Sequence, residues 1–553
     1  MNPNHLSNAG TRFDQSSIAA GGVLALPFEV IEDLTFTSTP RNASSFNSMS
    51  GLMDLSFSDD GNTFVKAGLL GMEASFQSNK KSRLKAHARY STVGLLSDMG
   101  VDFDGESINF QDFFLSFRPT KNIQVFGMIA SSNNDKSAVD SFSLVEVQKD
   151  LLDINYSSRL GFVGTHIRLG LTRHSLVASY KKDIRTSLNK YDPSPSPFLS
   201  RDESEYLKIS YAGRQKIKIA NFTLSPSVNA QVNKDKVNFN DSSLDETSFI
   251  LEPGLSFAFL GNGDAQFSYE FSVSGLYDSF SDEFQFEPSA NVQYFNGAHV
   301  FSVQAGLISQ AISRPLQAVA IGNSNNHDAV LDRTRNFSTS LSWKFLPELS
   351  KFKLLTSVFY KRLYNLPGIN YLDYMPLLNG VVYNDKLING YLLTIDGEPQ
   401  VARSLGVDIM VDYELLNGLN LNLNGSIFDL KYRDFQDNWV DARYNFGHVV
   451  NATISKRIEF DNGKSLMLHS GLHYRGAAKV IEDRTRELRP YWRIDLRAKY
   501  TWRERNVLIL DIQNVTNRIN DAYYYFDSFT NQYELEEQLT MIPIISYKRI
   551  LGK

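Results

Sequence analysis

The 553-residue chain contains no cysteine, so it forms no disulfide, builds no thiolate metal site and has no cysteine nucleophile. It also has no apolar run of about 18 residues, which removes the transmembrane helix as an architecture. That absence does not remove a barrel strand, which crosses a membrane with about 9 to 11 alternating residues. Excess positive charge is missing too, and a net charge of -5 offers no basic footprint for nucleic acid. No His-Glu-x-x-His, nucleophile elbow, phosphate-cradling loop or dinucleotide fingerprint occurs. These absences point to a protein that binds rather than catalyses, and they call for no cofactor. Residues Met1 to Ala20 carry Asn, Ser and Gly, with no charged segment followed by an apolar stretch, so no secretory leader is expected there.

Aromatic residues are plentiful. Thirty-eight Phe and 26 Tyr bring the aromatic share to 12%, a composition that favours strands. The alternation is clearest after Pro490, where Trp492, Ile494, Leu496, Ala498, Tyr500 and Trp502 fall on one face and Arg493, Asp495, Arg497, Lys499 and Thr501 on the other. The same pattern sets Phe267, Tyr269, Phe271 and Val273 against Gln266, Ser268, Glu270 and Ser272. It also sets Leu405, Val407, Ile409, Val411 and Tyr413 against Ser404, Gly406, Asp408 and Asp412. In a membrane barrel the apolar face meets lipid and the charged face a wet lumen.

The spacing predicts about 22 strands between Thr63 and Leu551. Tight turns are expected at Asn79 to Lys81, Pro119 to Lys121, Gly261 to Gly263, Asn296-Gly297, Pro347 to Leu349, Asn417-Gly418, Asp461 to Gly463 and Arg503 to Arg505. Longer polar connections alternate with them, including Val93 to Ser107, Ser132 to Asp150, Arg185 to Arg201, Asn233 to Glu246, Ile312 to Leu331, Leu366 to Val401, Arg433 to Ala442, Ala477 to Glu487 and Arg518 to Gln538. Short turns at one end and long loops at the other are expected of an outer-membrane barrel, and a soluble sandwich has no reason for them. The expected fold class is therefore all-β: a transmembrane antiparallel β-barrel of about 22 strands.

The stretch Leu508 to Arg518, followed by Ile542 to Tyr547, resembles the last two barrel strands of TonB-dependent outer-membrane receptors. Similar likenesses run through Arg443 to Asn451, Ala402 to Tyr413 and Phe359 to Pro367. The resemblance implies a 22-stranded barrel in the cell outer membrane of a Gram-negative bacterium, occluded by an N-terminal plug. It further implies an outer-membrane receptor that binds a siderophore, vitamin, glycan or peptide for import energised by the TonB complex. Residues 1–60 resemble only the C-terminal remnant of a plug, with Val30 to Phe36 and Ser50 to Leu55 as its strands, and residues 61–553 are the barrel. The Tyr-Gly-Gly apex usual between those two strands is replaced by Asn42 to Asn47, the rest of the plug and the TonB box do not appear, and Leu551 stands where a terminal aromatic is usual. Two other functions stay open: a passive diffusion pore or vestigial truncated receptor, and a surface binding barrel partnered with a lipoprotein.

Ligand recognition is expected in the long loops, because variable loops on a rigid scaffold carry binding. Tyr371, Asp373, Tyr374 and Tyr383 combine aromatic platforms with carboxylates suited to a glycan or an organic chelate, although tyrosines at this density also pack a folded loop. His327 and Asp328, with Asp332 nearby, are a second candidate group. No metal is assigned. Asp434, Asp437, Asn438 and Asp441 gather oxygen ligands without the spacing of a calcium loop. His469 and His473 share a lumen face but stand roughly 13 Å apart along the strand, too far to hold one metal directly. His448 is expected at the outer face near one membrane interface.

Overall fold

A strand in lipid must be paired along both edges, since each unsatisfied backbone group there costs several kcal/mol. The computed structural model meets this requirement by closure: Phe64–Gly68 pairs antiparallel with Ile542–Ile550, joining the first barrel strand to the last. The structure describes residues 26–37, 47, 52–58, 61–78, 83–91, 106–146, 148–191, 199–239, 242–260, 266–324, 330–347, 351–366, 368–369, 375–376, 400–416, 418–434, 436–442, 445–460, 463–479, 486–527, 529–538 and 540–551. Among these, Ile217–Ile219 continues the Leu199–Gln215 strand and Trp439–Asp441 continues His448–Phe460, which leaves a 22-strand antiparallel barrel. Strand number and fold class agree with the sequence. Two N-terminal strands lie outside the barrel sheet, where Ile31–Thr37 pairs with Leu52–Phe57.

The period of two decides which atoms meet lipid. Outward positions expose Ile129, Val163, Phe271, Leu405, Ile409 and Ile427, while their neighbours point into the lumen. On Tyr491–Trp502, Leu496 is exposed and Tyr500 stacks on Trp502 at 5.6 Å, while the opposite face pairs Arg493 with Asp495 at 2.8 Å and Arg497 with Asp511 at 3.3 Å. Toward the short turns, the outer face carries a chain of ring contacts. Phe257 stacks on Phe222, Phe259 on Tyr269 and His299 on Trp343, and Phe352 meets Tyr413. Such girdles mark a membrane interface. At the opposite end of the outer face, Tyr180, Leu207 and Val232 give way two residues on to Lys182, Glu205 and Lys234. There Lys182 pairs with Glu203 at 2.5 Å, and Lys234 pairs with Asp245. His448 lies at this end on the outer face and stacks on Tyr474 with a 3.0 Å hydrogen bond, as expected of an interfacial position.

Among the described residues, short turns form at Asn296-Gly297 and Arg503 to Arg505 as the sequence places them, and Gly418 adopts φ +81°. Strict alternation of long and short connections is not kept, however. Phe222–Phe239 and Ser242–Leu260 run through the expected Asn233 to Glu246 loop and leave only two residues between them. Their upper parts are strands with polar residues on both faces, because a strand that rises above the hydrocarbon needs no apolar side. Gly68 and Gly71 flank a tight turn at Leu69-Leu70, and a Cβ on Gly71 would lie 2.4 Å from the Tyr90 carbonyl oxygen. Both leucines are exposed, and an apolar turn carries none of the polar residues by which turns are read from sequence. The expected Ile312 to Leu331 loop contains the helix Arg314–Ser324, and Arg518 to Gln538 forms a hairpin of Asp521–Asp527 with Gln532–Glu537.

Candidate functional site in the barrel lumen

Two inward-folded segments define the lumen. The first is the N-terminal hairpin. Val30 and Phe57 are buried in a cluster with Phe114, Phe126, Met128, Leu160 and Phe162. The ring of Phe57 lies 5.0 Å from Phe114 and 4.9 Å from Phe126, centroid to centroid. Phe126, Met128 and Ala130 occupy lumen positions of Ile123–Lys136, opposite outward Val125 and Ile129. The lumen is therefore not polar throughout, and its apolar patch is covered by the hairpin. Beside this patch a row of charge crosses the seam strand by strand: Lys66 faces Glu73, Glu73 faces Arg89 and Arg89 faces Asp112. Its ion pairs measure 3.0 Å for Lys66–Glu73 and 2.7 Å for Arg89–Asp112. Glu29 sits against this row. Burial pushes its carboxyl up, but its own backbone N–H together with Lys548 and Lys66 outweighs that and holds it below the usual carboxylate range.

The second segment is the helix Arg314–Ser324. Its Ala318 packs with Val237 and Leu244 on the tops of two strands, joined by Tyr206, Phe280 and Ile321. Arg314 donates to Asp235 at 2.6 Å and to Ser248 at 2.9 Å, and its guanidinium lies 3.9 Å from the Phe280 ring centroid. Nine residues beyond the helix, Arg333 is 1% exposed. It donates to Asp278 at 2.5 Å, to Ser309 at 3.1 Å and to the side-chain oxygen of Asn47 at 2.6 Å. The same Asn47 oxygen accepts the Ala311 N–H at 2.8 Å. Asn47 is thereby held against the barrel wall. Deeper on the wall, Glu287 accepts from Ser309, and fully buried Glu252 accepts from Asn229 at 3.0 Å. Hydrogen-bond donors of this kind lower the cost of burying a carboxyl group on the wall.

The candidate ligand residues Tyr371, Asp373, Tyr374, Tyr383, His327 and Asp328 all lie outside the described residues. Of the oxygen-rich loop, Asp434 accepts the backbone N–H groups of Gln436 and Asn438, Asp437 pairs with Arg433 at 2.8 Å and Asp441 accepts from Asn445. Those carboxylates shape the loop instead of converging. His473 bonds Asn451 at 2.8 Å and lies 3.6 Å from Asp495, a lumen-wall partnership. Arg333, Asp278, Asn47, Arg314 and Asp235 were not identified from the sequence. The one available signal was a buried-type row of charge at alternating positions, and alternation alone does not say which rows converge.

No family model and no curated relative matches the chain. Solved structures do. The ferric enterobactin receptor of Pseudomonas aeruginosa, determined as a mutant in complex with enterobactin, aligns over 99% of this chain and 90% of its own, at 10% identity and a TM-score of 0.68. The FrpB iron transporter of Neisseria meningitidis aligns over 96% and 88%, at 10% identity and a TM-score of 0.65. The ferric yersiniabactin uptake receptor of Yersinia pestis aligns over 91% and 82%, at 9% identity and a TM-score of 0.62. The chain has the fold of the TonB-dependent outer-membrane receptors.

Proposed function

We propose that this chain is the translocation barrel of an outer-membrane receptor that captures a scarce nutrient at its long-loop end and passes it inward by TonB-dependent transport. The observation that carries the reading is the N-terminal segment seated inside the barrel, anchored by Phe57 on the apolar patch and by Asn47 on Arg333. A passive pore gains nothing from such a segment, whereas a gated receptor needs one. On this reading residues 1–60 are the end of a plug, residues 61–553 the barrel, and the location the outer membrane of a Gram-negative bacterium. The nutrient is a ferric chelate, a class supported by the named ligands of the structural neighbours. The loops bearing Tyr371, Asp373, Tyr374, Tyr383, His327 and Asp328 supply its first contacts.

The test is uptake of radiolabelled iron, presented as a panel of ferric siderophores, by cells whose own siderophore receptors have been deleted and replaced by this protein. The expected result is accumulation of at least one chelate, abolished by a protonophore. Uptake that ignores the protonophore and falls only with solute size would replace this reading with a diffusion pore.

A further inference from the structure

Where the N-terminal segment meets the barrel wall, three potential ligands converge from three separate elements. Glu29 comes from the short turn Phe28–Val30, Glu73 from the lumen face of Gly71–Ser78 and His87 from the lumen face of Arg83–Ser91. A ligand atom from each lies within 4.8 Å of the other two, and no other set of three such residues converges in this way among the described residues. His87 is 1% exposed, and neither of its ring nitrogens has a hydrogen-bond partner among the described residues. A buried imidazole in that condition has given up its bonds to water without replacement.

Glu73 repeats the pattern on one side only. Its Oε1 accepts from Lys66 at 3.0 Å, while its Oε2 is buried with no partner. A carboxylate with one oxygen held by a neighbouring cation and the other left open is oriented as a metal ligand is oriented by its supporting shell. On the segment itself, Lys85 donates to the Glu29 backbone oxygen and fixes the turn that carries the third ligand.

The charge around the cluster bears on which ion fits. Lys66, Lys85 and Lys548 lie about it, and Arg89 is engaged with Asp112. These cations oppose Ca²⁺ and Mg²⁺, which bind through accumulated anionic oxygen. An ion that bonds strongly to an imidazole nitrogen as well as to carboxylate is less dependent on net negative charge. We propose that Glu29, Glu73 and His87 form a divalent transition-metal site, with Zn²⁺ as its reference ion, that pins the N-terminal segment to the barrel wall. The site completes its coordination with water and does not depend on the chain's being a receptor.

The experiment uses the whole chain folded in detergent and stripped with a chelator, titrated calorimetrically with Zn²⁺ alone and then with Mg²⁺ and Ca²⁺. One Zn²⁺ per chain is expected, with no comparable heat from Mg²⁺ or Ca²⁺. His87→Ala, Glu29→Gln and Glu73→Gln should each weaken binding by about tenfold or more, and His469→Ala should not. His87→Gln serves as a second variant of similar volume, and retention of the heat-resistant barrel on gels establishes that each variant is folded. Zn²⁺ should also slow proteolysis around Glu29 in the unaltered chain and leave the His87→Gln rate unchanged. Zn²⁺ binding that survives His87→Gln at full affinity would overturn the proposal. So would the absence of stoichiometric Zn²⁺ binding, which would leave an ordered water bridging the three groups.

Discussion

Two parts of the barrel wall differ about twofold in height. The five strands around the seam, Asn506–Gln513, Ile542–Ile550, Phe64–Gly68, Gly71–Ser78 and Arg83–Ser91, have 8, 9, 5, 8 and 9 residues. On another arc, Leu152–Leu169, Thr172–Asn189, Leu199–Gln215, Phe222–Phe239 and Ser242–Leu260 have 18, 18, 17, 18 and 19. A lipid core asks for about 9 to 11 residues per strand. The low wall is at or below that length, and even its turn at Leu69-Leu70 is apolar and exposed. The tall wall exceeds it by about 8 residues, or roughly 26 Å of strand. Above Tyr180 and Val232 its outer face becomes charged. The membrane thus sets the height of the apolar band, and what rises above the band is free to serve the lumen. The N-terminal hairpin places Glu29 over the low wall and Phe57 against the rising strands from Glu106 to Leu169 beside it, and the tall wall supports the helix Arg314–Ser324.

The largest expected effects come from cutting the two anchors of the N-terminal segment. Phe57→Ala should cost about 3–5 kcal/mol where the hairpin meets Phe114, Phe126 and Phe162, read as faster proteolysis of the segment with the barrel still heat-resistant on gels. Arg333→Ala removes the cation from buried Asp278 and should cost a similar ~3–5 kcal/mol, because it strands a buried carboxylate. The double variant with Asp278→Asn should recover part of that loss in urea unfolding from lipid vesicles. If both anchors prove neutral, the segment is not seated as described.

The next effect tests the band itself. Leu255→Arg places a guanidinium on the exposed outer face of the tall wall and should destabilise the folded barrel by about 2–4 kcal/mol, measured by the same urea titration. Lys236→Arg, on the same face two strand positions above Val232's neighbour Lys234, should change nothing measurable. The smallest effect is expected from Lys182→Ala. Its pair with Glu203 is part-exposed and flanked by Glu205, and such pairs contribute about 0–1 kcal/mol that salt screens further.

Much of this architecture was legible in the sequence. The alternation from Tyr491 to Trp502 and the Asn296-Gly297 turn stand as read, and the two N-terminal strands fall within two residues of their expected bounds. The tops of the tall wall were read as loop from Arg185 to Arg201 and from Asn233 to Glu246, where residues such as Lys234, Asp235 and Lys236 present charge on both faces, and period two disappears when neither face meets lipid. Leu69-Leu70 was hidden for the converse reason, as a turn without polar residues. The lumen clusters were the least legible. Arg333 and Asn47 are 286 positions apart, and Glu29 meets His87 only because the chain turns inward before the barrel begins. Lumen-facing Phe114, Phe126 and Met128 looked like any other apolar residues in strands, and only the docked hairpin gives their face a partner.

The most direct test uses the absence of cysteine, which makes every introduced thiol unique. Ile129→Cys, Val232→Cys, Asn233→Cys and Lys236→Cys would each carry an environment-sensitive fluorophore in vesicles containing brominated lipid. The account predicts strong quenching at positions 129 and 232 and little at 233, which faces the lumen, or at 236, which stands above the band. Equal quenching at 232 and 233, or strong quenching at 236, would contradict a membrane-spanning barrel with this boundary.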